Sequence, residues 1–261
     1  MFTAKTIRVA ILLMVLAAVA GKTWKDRVDT RSWKYEIHLV VYPINGDGSE
    51  VSRQYIAALT PERFGDLEPF FREQAARYGV HLRFDQAPVN VRLAPEVSEL
   101  PPSPPQSGNP LSVAMWSLQL RWWAWRHGDY QTGPGQIRMF VLYHDPSRNP
   151  VLPHSLGLQK GLIGVVNAFA VPRMEAQNEV VIAHEFLHTL GAADRYDPAT
   201  LMPAYPDGYA DPAQQPRYPQ AQAEIMGGRI PVSDTGARMP EGLRETVIGE
   251  TTAREILWRD R

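Results

Sequence analysis

The chain has no cysteine among its 261 residues. That excludes a thiol nucleophile, a disulfide framework and a thiolate metal ligand. It does not exclude a home outside the cytoplasm, because a chain of this length can fill a core without disulfides. A surplus of either charge is also missing, since 27 Lys and Arg face 28 Asp and Glu. With no basic stripe, nucleic acid is a poor partner. A G-x-S-x-G elbow, a P-loop and a G-x-G-x-x-G following a strand are absent as well. No apolar run reaches the roughly 20 residues that span a bilayer comfortably.

The run nearest to that length goes from Val9 to Gly21, behind Lys5 and Arg8. It fits the apolar region of a secretory signal, and Ala18-Val19-Ala20 is a small-x-small cleavage site. Residues 1–20 are therefore expected to be a signal peptide, and residues 31–261 one folded domain. Lys22 and Lys25 just past the site keep an alternative open. In it, residues 7–21 stay as an anchor in the cytoplasmic membrane. Either way the folded part is expected outside the cytoplasm, periplasmic or secreted, with peripheral or anchored membrane association.

Along the chain, Trp33–Pro43 alternates into a β-rich segment and reads as a strand. Asn45-Gly46-Asp47-Gly48-Ser49 reads as a turn; it resembles the start of a calcium loop, but the later ligands are missing. Residues 54–78 read as helix in one or two pieces. Thr60 and Pro61 open the second piece, Phe64, Leu67, Phe71, Ala75 and Tyr78 form its buried stripe, and Gly79 ends it. Residues 80–84 and 89–93 alternate as strands. His38 and His81 lie in such strands and read as solvent-facing or satisfied side chains. The proline cluster at 101–105 reads as a loop with polyproline character.

Residues 111–125, LSVAMWSLQLRWWAW, form a helix with apolar residues on more than one face. That suits a core helix, or a surface helix whose tryptophans dock on lipid headgroups. Residues 136–144 and 161–170 read as strands. His154, in the loop before the second, reads as a loop residue. Residues 251–258 should close the chain as a helix that returns Ile256, Leu257 and Trp258 to the core.

The segment 178–194, NEVVIAHEFLHTLGAAD, carries the chemistry. Val180, Val181, Ala183, Leu187 and Leu190 recur at helical spacing, and Asn178 is a candidate cap. His184 and His188 then lie one turn apart on one face. Two imidazoles so placed can both reach one zinc ion. Glu185 points elsewhere around the helix, where it can act on water as a general base. Gly191 is placed to end the helix with a left-handed residue.

The full pattern, H-E-x-x-H-x-x-G-x-x-D from His184 to Asp194, resembles the metzincin zinc peptidases, whose third ligand follows such a glycine turn. Most metzincins carry His there. The Asp version, with Tyr196 two residues on, is similar to the snapalysin-type bacterial metallopeptidases, and carboxylate is an ordinary zinc ligand.

That resemblance implies a zincin-like α/β fold: a mixed, mostly parallel twisted sheet packed on helices, with an irregular lobe after Asp194. It implies one catalytic Zn²⁺ held by His184, His188 and Asp194, which activates water with Glu185 as base, for peptide or protein substrates. Tyr196 would aid the oxyanion or serve structure alone. The glycine-rich strand at 161–170 would form the upper cleft wall. A methionine turn would underlie the zinc, formed by Met226 in Glu224–Gly228 or, alternatively, by Met202. Two other functions are compatible with these residues: a catalytically silent zincin-fold envelope binding protein, and a zinc amidase acting on cell-wall peptides.

Overall fold

The computed structural model describes residues 30–82, 87–105, 109–128 and 136–259, together with Arg8, Leu13, Met14, Gly21 and Val28. Most of the expected signal segment, most of the turn-rich stretch 128–135, and Arg83 and Phe84 of an expected strand lie outside the described residues. Among the described residues no helix is long and apolar enough to cross a membrane.

Five strands form the central sheet: β1 (Ile37–Asn45), β2 (Val89–Leu93), β3 (Gln136–His144), β4 (Leu156–Leu158) and β5 (Ile163–Phe169). Their spatial order is β2-β1-β3-β5-β4. The first four in that order run parallel, and β4 is antiparallel to β5 at the edge. The sheet is thus mixed and mostly parallel, as expected. A parallel sheet needs both faces covered, and the period of two along each strand divides the work. Leu39, Val41, Met139 and Val166 point to one face, which α1 (Glu50–Ala57), α2 (Leu67–Arg77) and α4 (Glu175–Leu190) cover. Val40, Tyr42, Phe140 and Val165 point to the other, which α3 (Pro110–His127) covers.

The turn at 45–49 has a structural use. Both Asp47 oxygens are committed to protein donors: Ser49 N–H and Ser52 Oγ–H on one, Asp145 N–H and Asn149 Nδ2 on the other. Those donors hold its carboxyl well below the usual range despite burial. It clamps β1 to the end of β3.

Several expectations change. Residues 161–170 do not form the cleft edge, because β5 is an interior strand paired on both sides; the edge is β4. Helix α4 starts at Glu175, three residues before Asn178, behind a 3-10 turn at Pro172–Met174. Asn178 is no cap; its amide pairs with both backbone groups of Phe169, at 3.1 and 3.0 Å, and fixes α4 to the end of β5. Helix α3 has one packed face, through Leu120, Trp123 and Ala124, and one exposed face.

After α4 the chain is mostly irregular, as expected. It forms two short pairs: β6 (Ala223–Glu224) with β9 (Thr246–Val247), and β7 (Ile230–Pro231) with β8 (Ala237–Arg238). Helix α5 (Glu250–Glu255) follows, and Ile256 and Trp258 are buried after it. Leu257 is instead exposed, in a left-handed conformation that turns its side chain outward.

Candidate metal centre and cleft

Helix α4 supplies two groups. One turn of separation sets the His184 and His188 rings edge to face, with centroids 4.7 Å apart. Each Nδ1 faces a backbone carbonyl, Ile225 at 2.9 Å for His184 and Ala192 at 2.8 Å for His188. A carbonyl only accepts, so each Nδ1 carries the proton and each Nε2 keeps its lone pair. The two Nε2 atoms meet 3.1 Å apart.

Asp194 arrives by the turn. Gly191 ends α4 at φ 105°, which favours glycine. Its N–H donates to the His188 carbonyl and that of Ala192 to the Leu187 carbonyl, at 3.0 and 3.1 Å, the paired bonds of a Schellman stop. The reversed chain sets Asp194 Oδ1 3.2 Å from each Nε2. The loop is held from behind. Glu255 of α5 accepts from Ala193 N–H at 3.0 Å and pairs with Arg195, whose own N–H donates to the Met226 carbonyl at 2.8 Å.

These three side chains can hold a metal ion. A tetrahedral zinc with bonds of about 2.0–2.1 Å spaces its ligand atoms about 3.3 Å apart. The triangle of 3.1 and 3.2 Å is close to one face of that tetrahedron. Two lone-pair nitrogens in contact repel unless a cation or proton lies between them. Two imidazoles and one carboxylate suit zinc and leave a fourth position for water or substrate.

Beside the triangle runs a cleft of about 330 Å³. Val180, Val181 and Ile225 give it an apolar floor; Pro153, His154 and Ser155, just before β4, line a wall. Glu185 and Tyr196 both face into it. The Oε2 atom of Glu185 is buried with no hydrogen-bond partner among the described residues. Burial raises the Glu185 carboxyl above its ordinary range, against the pull of both imidazoles. Burial, with the Asp194 charge, pushes the Tyr196 phenol up to about 12. Burial opposes charge on His184, yet Asp194, Glu185 and the Ile225 carbonyl raise it on balance. Burial also opposes charge on Asp194, yet the two imidazoles hold its carboxyl well below the usual range.

No protein-family model matches the chain. No curated protein matches it either. Among solved structures it is similar to OgpA from Akkermansia muciniphila. Two crystal forms of the wild-type protein share 14% and 15% identity with it, at TM-scores of 0.38 and 0.39. A catalytically inactive OgpA in complex with an O-glycopeptide shares 13%, at a TM-score of 0.36. The wild-type alignments cover 84% of this chain and 59% of OgpA, so the chain spans less than two thirds of that protein's length. The likeness is distant.

The structure thus brings His184, His188 and Asp194 together, with Glu185 and Tyr196 in the adjoining cleft. The two candidate methionines differ in place. Met226 is fully buried in the 3-10 turn Ile225–Gly227, whose first carbonyl holds His184. Met202 lies in the loop after Tyr196, where its carbonyl accepts from Asp197 N–H at 2.9 Å.

Three contributors escaped the sequence reading. Strand β4 is only three residues long and carries no alternation to find. Gly157 within it lies against the Glu185 carbonyl and the His188 Cβ, so glycine lets the edge strand approach α4. Glu224 is fully buried yet satisfied. It accepts from Gly227 N–H at 2.9 Å, Thr252 Oγ–H at 2.7 Å and Gly249 N–H at 3.0 Å, which locks the turn that holds His184 to α5. A carboxylate between Ala223 and Ile225 was its only signal.

Proposed function

We propose that the chain is a zinc-dependent peptidase that acts on extended polypeptides outside the cytoplasm. One observation carries this reading: the His184, His188 and Asp194 ligand atoms lie 3.1 to 3.2 Å apart, beside the unpartnered oxygen of Glu185. Zinc held there supplies a Lewis acid for the scissile carbonyl and makes water acidic enough to ionise near neutral pH.

The chain's own residues supply the rest. Glu185 takes a proton from the attacking water and passes it to the leaving amine; its raised pKa makes it a better acceptor than an ordinary carboxylate. The Tyr196 phenol stays protonated and donates to the negative charge growing on the carbonyl oxygen. Strand β4 pairs with no strand on its outer side among the described residues, so its backbone can add an extended substrate to the sheet. Met226 underlies the histidines, and the Ile225 carbonyl beside it supports this choice over Met202. The export reading rests on the apolar run Val9–Gly21 behind Lys5 and Arg8.

The test combines zinc analysis of the purified chain with digestion of a mixed peptide pool, with and without chelator. Glu185→Gln is expected to keep its zinc and to lose about 10²- to 10⁴-fold in cleavage rate. Undiminished cleavage by that variant would sink the mechanism, and a chain that takes up no zinc would sink the assignment. A zinc-loaded wild type that cuts nothing in the pool would point to the binding-protein or cell-wall amidase alternatives.

A further inference from the structure

Among the described residues nothing covers one apolar face of helix α3. Leu111, Met115, Leu118, Trp122 and Trp125 recur at steps of four and three, so they share one side of the helix. Each is more than half exposed, while Leu120, Trp123 and Ala124 on the opposite side are buried against the sheet. A contiguous apolar stripe of this kind marks a docking surface.

Its charge narrows the occupant. Helix α3 carries no Asp or Glu; its His127 pairs with Glu99 and its Arg121 lies against Gly161, which leaves Arg126 as the exposed cation of the helix. The Arg126 guanidinium lies over the Trp122 ring, 5.6 Å from its centroid. Exposed Trp interleaved with Arg suits the headgroup layer of a bilayer, where the ring meets acyl chains and the cation meets anionic lipid.

We propose that the outward face of α3 docks in the headgroup layer of an anionic lipid bilayer. This goes beyond the peptidase reading and stands or falls apart from it.

The absence of cysteine makes the test clean. In the full chain, Leu118→Cys is labelled with an environment-sensitive fluorophore, and Val151→Cys on an exposed loop serves as the control. Vesicles are phosphatidylcholine alone or in equal parts with phosphatidylglycerol. The label at 118 is expected to shift to the blue on the mixed vesicles, with little shift on phosphatidylcholine and none at 151. Trp122→Ser with Trp125→Ser should lower partitioning several-fold at unchanged circular dichroism. A chain that stays off the mixed vesicles, or sits on them with position 118 still in water, overturns the proposal. So does an equal shift on both vesicles, which removes the anionic partner, or a shift without vesicles that grows with protein concentration, which assigns the face to a second copy.

Discussion

Glu179 lies on α4, five residues before His184, and its Oε1 accepts from Asp66 N–H at 3.1 Å. Burial is the main cause that lifts its carboxyl to about 7, from an ordinary 4.5. Between those values the folded chain holds a proton that the unfolded chain has lost. Stability is therefore lost as pH rises from about 4.5 through 7, by on the order of 3 kcal/mol from this group. Glu179→Gln keeps an acceptor for Asp66 and removes the titration. Its denaturation midpoint is expected to exceed wild type at pH 8 and to match it near pH 4, which urea melts at both pH values would check. Gly157 makes a second residue-scale prediction. A methyl there meets the Glu185 carbonyl, which cannot swing aside as a side chain tip can. Gly157→Ala should cost about 1–3 kcal/mol by thermal denaturation. Both effects were hidden from the sequence, where Glu179 is one acid in an amphipathic pattern and Gly157 one glycine in a loop. His184 and His188 were legible because a spacing of four fixes their relation by helix geometry alone.

Among the elements, α4 was legible for the same reason, down to the glycine that ends it. Strand β4 was not, because three residues give no period, and its place depends on pairing with β5. The turn Ile225–Gly227 was found by its resemblance to a methionine turn, with the paired glycines favouring it over Met202, but its anchor was not. Glu224 touches none of the candidate ligand atoms. It holds the turn whose carbonyl orients His184, and such supporting contacts commonly matter 10- to 100-fold in metal affinity. Glu224→Gln loses one acceptor among three donors, two of them buried and one half-buried. It is expected to weaken zinc binding about 10-fold or more while zinc-saturated cleavage recovers, in a competition titration against a chromogenic chelator.

For the whole molecule, the triangle predicts linkage between metal and folding. An ion that binds the native chain alone should raise stability by about 2.7 kcal/mol at a hundredfold excess over its Kd. Calorimetric melts with added zinc and with chelator should therefore separate, and identical melts would argue against the site. The order of strands and helices before α4 was largely readable, since each has its own period. The long-range clamps were not, because they join residues far apart in the chain. Chief among them is α5, whose Glu255 secures the loop bearing Asp194 and whose Thr252 secures Glu224. A ribosome must have synthesised the chain as far as Glu255 before either loop is fastened. Until that helix has emerged, the three candidate ligands cannot be held in one place, so the site is among the last parts of the molecule to be set.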